Sequence, residues 1–232
     1  MFNEFPAFSC TMTVMPRFLD PVFIIAILAA LAVHECAHAF AAFRLGDPTA
    51  KEEGRLTLNP VAHLDPMGVI LFLLVGFGWG KPVPVDPRYF RHPKRDNALV
   101  ALAGPAGNLL LALAAFAILL ALGQGEALAG TGNASGSPVI IRLLRDLLTS
   151  IVFINLVLMA FNLLPVAPLD GSKILDLWIP PRHQRQYAAF MERGPMILLA
   201  LIVLGYAFNL PILSLWIRLV TAPILRLMGV AT

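Results

Sequence analysis

Four apolar runs, residues 21–43, 97–123, 147–169 and 195–217, decide what this chain can fold into. Each meets the roughly 20 residues that a helix needs to cross the hydrocarbon core of a bilayer. Lipid offers no partner to backbone N–H and C=O groups, so segments of this length must satisfy themselves as helices. The composition agrees, with 58% hydrophobic and 13% charged residues, against about 25% charged in soluble domains. The expected fold class is an all-α multi-pass membrane protein with about four to five transmembrane helices. A single membrane-embedded domain over 1–232 is expected, with a core at 20–195 and C-terminal helices at 195–230.

A shorter apolar run from Pro66 to Gly80 contains Gly68, Gly76, Gly78 and Gly80 and leads into Lys81-Pro82-Val83-Pro84. It is too short to cross and reads as a re-entrant or interfacial segment. Short strands on the cytoplasmic side, at Leu56–Leu58 or Val83–Val85, would complete this picture. The tail at 209–228 is apolar but carries Arg218, Arg226, Pro211 and Pro223, which suits a last short span or an interfacial helix.

Charge orients these elements. Arg44, Lys51 and Arg55 follow the first run; Lys81, Arg88, Arg91, Lys94 and Arg95 precede the second; Lys173, Arg182, Arg185 and Arg193 follow the third. Together they are most of the 17 basic residues, whereas the connection at 124–141 has none. By the positive-inside rule the three basic connections share the cytoplasmic face of the cell membrane. That arrangement requires 66–80 to dip in and return. The net charge of +3 is small and spread between apolar runs, so the basic residues, Lys94-Arg95 among them, read as anchors to lipid headgroups, with no nucleic-acid partner. Cys10 and Cys36 provide no disulfide framework, and the N-terminus shows no cleavable secretory pattern, so the first apolar run is expected to be retained.

Within that first run stands His34-Glu35-Cys36-Ala37-His38. Two histidines four apart on a helix differ by about 40° around the axis and one turn in rise, so both can reach one metal ion. Glu35 falls beside them, where a carboxylate can take a proton from water activated by zinc. Cys36 projects about 200° from His34 and is a poor ligand. Ionisable groups in a span are candidate functional residues by default.

A second signal ends the third long run: Asn162-Leu163-Leu164-Pro165-Val166-Ala167-Pro168-Leu169-Asp170-Gly171. Pro165 and Pro168 cannot continue a regular helix, so backbone carbonyls are freed that must face protein or a watered cavity. A catalytic zinc commonly has three protein ligands and an open position, and Asp170 suits the third. If 66–80 returns to its own side, Asp170 emerges at the end of the first span, where His38 lies about 9 Å from the helix terminus. If 66–80 crossed instead, Asp170 would stand on the opposite face.

These motifs resemble the site-2 protease family of intramembrane zinc metalloproteases. The likeness extends to Ala103-Gly104-Pro105-Ala106-Gly107-Asn108 in the middle span. It also extends to Arg55-Leu56-Thr57-Leu58-Asn59-Pro60, to His63-Leu64-Asp65-Pro66-Met67-Gly68 and to Gly80-Lys81-Pro82-Val83-Pro84-Val85, which are similar to a compact prokaryotic branch without PDZ or nucleotide-sensing domains. The resemblance implies one zinc ion held by His34, His38 and Asp170, with Glu35 as general base. The implied partners are the bilayer and a substrate whose transmembrane helix is cut in or near it, with the site towards the cytoplasm. Asn162 and His63 are candidates for contact with substrate or an oxyanion, and His63 also for a second metal. Asn108 and its glycines suit close helix packing, and His92 and His183 are expected at the surface. A metal-ion transporter and a non-catalytic membrane scaffold are the alternatives; the first normally requires polar groups on several helices along a path.

Overall fold

A computed structural model describes residues 19–75, 78–129, 138–208 and 210–230, so Cys10, the N-terminal segment before residue 19 and part of the 124–141 connection lie outside the described residues. In chain order the α-helices among them are α1 (Pro21–Arg44), α2 (Thr49–Glu52), α3 (Pro66–Val75), α4 (Pro93–Ala121), α5 (Val139–Asn162), α6 (Asp170–Asp176), α7 (Gln184–Glu192), α8 (Gly194–Ala207) and α9 (Ile212–Leu227). The described residues form no sheet; a single bridge pairs Leu64 with Gly80. The strands expected at Leu56–Leu58 or Val83–Val85 are therefore absent among the described residues, because neither segment makes the paired backbone hydrogen bonds of a ladder.

Three helices, α1, α4 and α5, are each long and apolar enough to cross a membrane. The pair Pro181–Glu192 and Gly194–Gly205, bent by 52°, makes a fourth at most. The run at 195–217 is not one helix: α8 stops at Ala207 and α9 begins at Ile212, after Pro211. At 1.5 Å per residue α8 rises about 21 Å and α9 about 24 Å, both short of a core of about 30 Å. The number of spans therefore falls at the low end of the expectation. Helix α5 also starts before residue 147, so Arg142 and Arg145 occupy its first turns, at the end opposite Asn162.

Helix α1 starts cleanly because the Asp20 carboxylate accepts from the Val22 N–H at 2.9 Å and Pro21 takes the first helical position, which removes donors that a helix start leaves free. Small side chains then let the spans approach closely: Ala26, Ala30, Ala39 and Ala42 of α1 and Ala101 and Ala112 of α4 are fully buried. Close backbone approach replaces the hydrophobic drive that helices lack in lipid. Larger side chains fill the far half, where Val152, Phe153, Leu156 and Met159 of α5 pack with Leu119 and with Leu225 of α9. Trp216 fixes α9 to α5 by donating to the Ala160 carbonyl at 2.8 Å.

The 66–80 segment returns to where it leaves. Leu64 bridges Gly80, and the Lys81 N–H donates to the His63 carbonyl at 2.8 Å, so the excursion starts and ends side by side. Its two arms touch backbone to backbone. A Cβ on Gly68 would lie 3.0 Å from the Trp79 carbonyl carbon and closer still to its oxygen, and one on Gly78 would meet the Gly68 carbonyl. The glycines thus close the loop by having no side chain, and α3 is re-entrant in shape. Lys94 is not a free headgroup anchor: its Nζ donates to the Ile179 carbonyl at 2.8 Å and to Gln184 Oε1 at 3.0 Å, tying the start of α4 to the α6–α7 connection.

Candidate metal centre

One turn of α1 places His34 and His38 on the same side, and the first residue of α6, Asp170, folds back onto them. Gly171 allows this return by close approach and not by a left-handed turn. A Cβ there would overlap the Leu163 and Leu164 carbonyls at the end of α5. All three side chains are buried, and their ligand atoms lie within 4.8 Å of one another. The His34 and His38 Nε2 atoms are 3.0 Å apart, and Asp170 Oδ2 lies 3.2 Å from the first and 3.1 Å from the second.

The surrounding hydrogen bonds fix which ring nitrogens carry protons. Asn108 Nδ2 donates to the Ala30 carbonyl at 3.0 Å and to Asn155 Oδ1 at 2.7 Å, which turns its Oδ1 towards His34 Nδ1 at 2.6 Å. His38 Nδ1 faces the Val100 carbonyl at 2.7 Å. Both Nδ1 atoms therefore donate, and in neutral rings both Nε2 atoms present lone pairs. Asp170 Oδ2 is buried with no hydrogen-bond donor among the described residues. Three acceptors converge without a proton between them, an arrangement that is costly unless a cation sits among them. A tetrahedral zinc site with bonds of about 2.0–2.2 Å has ligand edges of about 3.3 Å, so the residues present fit the ion and leave a fourth position open.

Helix α4 builds the back wall. A Cβ on Gly104 would lie 2.5 Å from His38 Cε1 and 2.7 Å from His34 Cε1, with His38 Nε2 closer still. The 103–108 motif, expected to serve packing, thus also supplies room for the imidazoles through Gly104 and an orienting acceptor through Asn108. Asn155, an amide in the middle of an apolar helix, completes the chain by donating to the Ile151 carbonyl at 2.8 Å. Sequence reasoning did not single it out, although a polar residue at that depth was a usable signal.

Glu35 lines the same pocket as the triad, together with Asn162, Lys173, Val100 and Pro168, and with Pro82, Val83 and Val85. The last three lie in a segment without helix or strand, where Pro82 and Pro84 favour extended backbone at the residues before them. Lys173 brings its Nζ to 3.7 Å from Asp170 Oδ1 and was not foreseen. The Asn162 amide donates back to the Leu158 carbonyl at 3.0 Å while its side chain stays at the pocket wall. His63 is elsewhere. It is fully buried, and its Nε2 donates to the Thr57 carbonyl at 2.9 Å, so it braces its own loop and does not reach the pocket that was expected for it. Cys36 is not part of the cluster, and His92 and His183 are exposed as expected. Beyond Val85, the Arg88 guanidinium and backbone N–H donate to the Asp86 carboxylate and hold it below the usual carboxylate range.

Comparison with known proteins identifies the family of this chain. The profile of Peptidase family M50 matches residues 22–205. The chain is 39% identical over 191 residues to the "Putative zinc metalloprotease YwhC" of Bacillus subtilis, covering 81% of this chain and 83% of that one. It is 32% identical over 203 residues to the "Putative zinc metalloprotease Rip2" of Mycolicibacterium smegmatis, covering 82% and 71% respectively. No solved structure matches. With a matching profile across most of its length and a buried His-His-Asp cluster between apolar helices, the chain belongs to Peptidase family M50 and is a multi-pass membrane zinc metalloprotease.

Proposed function

We propose that this enzyme hydrolyses a peptide bond in or beside the transmembrane segment of a membrane-protein substrate, at the cytoplasmic face of the cell membrane. His34, His38 and Asp170 would hold the zinc ion, which supplies a Lewis acid that polarises the scissile carbonyl and draws the pKa of water at the site towards neutrality. Glu35 takes the proton of the attacking water and returns it to the leaving amine nitrogen. Asn108 and the Val100 carbonyl keep both imidazoles in the tautomer that binds metal. The observation that carries this proposal is the convergence of three lone-pair atoms in a pocket that Glu35 also lines, on a helix that is otherwise apolar.

In an α-helix each peptide carbonyl is tied up in an i→i−4 hydrogen bond and shielded by side chains, while the His34, His38 and Asp170 cluster lies buried within its pocket. A substrate helix must therefore unwind to enter, and its freed backbone groups need partners. Val83 and Val85 make no backbone hydrogen bond to another described residue, and Pro84 between them has no N–H. An extended substrate chain laid along them would regain hydrogen bonds as an added strand does. Asn162 offers a further polar contact at the pocket wall. The cytoplasmic side is supported by the basic connections at 44–66, 80–96 and 170–194, the last two of which contribute Pro82, Val83, Val85, Asp170 and Lys173 to the pocket. Mass-spectrometric mapping of products from single-span substrates tests the proposal. Cuts at the cytoplasmic end of the apolar segment are expected; cuts confined to distant soluble loops would contradict it.

A further inference from the structure

Two buried charges in the connection after α1 have no role in the chemistry above. Arg55 is 3% exposed. Its guanidinium donates to the Ala62 and Lys81 carbonyls and, at 3.3 Å, to that of Pro82. Asp47 is fully buried. Its Oδ1 accepts from Thr49, and its Oδ2 accepts from the Asp86 N–H at 2.7 Å. Burying charges is costly, and both are retained here at the two ends of one extended segment, 81–86. Asp47 is itself fixed to the ligand-bearing helix, since its N–H donates to the Ala42 carbonyl at 3.0 Å. The Val85 side chain then packs with Ala42, Phe90 and Val100.

We infer that Arg55 and Asp47 are positioning residues that clamp the 81–86 segment at both ends, registering it to α1 and so setting which substrate bond lies over the metal centre. The inference rests on the proposed protease function. Neither residue touches the reacting atoms. Their effect is to hold Val83–Val85 extended before substrate arrives, so that binding does not have to order this segment.

The test uses full-length protein with a single-span substrate, comparing wild type, Arg55→Lys, Asp47→Asn and Pro84→Gly. A lysine ends one bond shorter in a single ammonium and lacks the planar fork with which Arg55 reaches the Ala62, Lys81 and Pro82 carbonyls. The Asp47→Asn amide is isosteric but cannot accept from both Thr49 and Asp86. Pro84→Gly loosens the segment without disturbing a buried charge, so it reports even if the other two fold poorly. All three are expected to keep wild-type zinc content, raise KM about tenfold with kcat changed by less than about threefold, and spread the cuts over neighbouring bonds. Substrate Kd measured in the Glu35→Gln background should weaken about tenfold as well. Unchanged KM and a single unchanged cut in the zinc-loaded variants would overturn the inference. Wild-type protein that cleaves no more than Glu35→Gln would overturn the protease proposal, and this inference with it.

Discussion

Replacing Gly104 by alanine sets two effects against each other. In the interior of a helix such as α4, Gly→Ala is ordinarily worth about 1 kcal/mol of added stability. Here the new methyl would stand 2.5 Å from His38 Cε1 and 2.7 Å from His34 Cε1, about 1 Å inside the 3.5–4.0 Å at which carbon atoms rest against each other. The rings cannot swing away freely, because Asn108 holds His34 Nδ1 and the Val100 carbonyl holds His38 Nδ1. One of those bonds must break, or α1 and α4 must part. A displacement of about 1 Å at a catalytic constellation costs on the order of a hundredfold in rate. We therefore expect Gly104→Ala to fold, to lose most of its zinc and to cleave at least about a hundredfold more slowly. Gly107→Ala is the control: the nearest atoms to its Cβ would be Ala37 Cβ at 3.0 Å, Val33 Cγ1 at 3.4 Å and the Val33 carbonyl oxygen at 3.5 Å, none of them an imidazole atom. The assay is metal content per chain, cleavage rate and thermal midpoint in detergent for both variants. Gly104→Ala with full zinc, wild-type rate and raised stability would refute the steric reasoning.

Asn108→Ala removes the acceptor from His34 Nδ1 and should weaken zinc about 10–100-fold, read by competition with a chelator. Asp170→Ala should lose zinc and cleavage together, since the two histidines alone leave the site one ligand short; retained stoichiometric zinc would argue against Asp170 as a ligand. Gly68→Ala places a methyl against the Trp79 carbonyl, so the loop from Leu64 to Gly80 should open and become sensitive to added protease while α1, α4 and α5 stay folded. Chelation of wild-type protein should abolish cleavage reversibly and lower the thermal midpoint, with zinc restoring both.

The candidate metal cluster was legible because metal chemistry admits few residue types and a helix fixes their spacing. His34, Glu35 and His38 could be found from one turn of α1, and Asp170 from the prolines that stop α5 before it. The return of 66–80 was legible too, from a run too short to cross and rich in glycine. Other roles depend on contacts that no local pattern encodes. Asn108 sits in a small-residue motif that reads equally well as packing, and only the crossing of α1 and α4 brings it to His34. His63 is a loop histidine by sequence, and the Thr57 carbonyl that claims its Nε2 is visible only once the loop closes. Hydropathy merged α8 with the start of α9 because apolar residues continue through the break, whereas the backbone obeys Pro211. The buried charges of Asp47 and Arg55 look like surface residues until the 81–86 segment lies across them.

The central claim is that Glu35 works on water at a zinc ion that other residues hold. The most direct measurement is zinc content and cleavage of a single-span substrate by purified wild type and Glu35→Gln, side by side. Retained zinc at wild-type stoichiometry with cleavage reduced at least about a hundredfold is the expected result. Cleavage by Glu35→Gln at the wild-type rate would contradict the account.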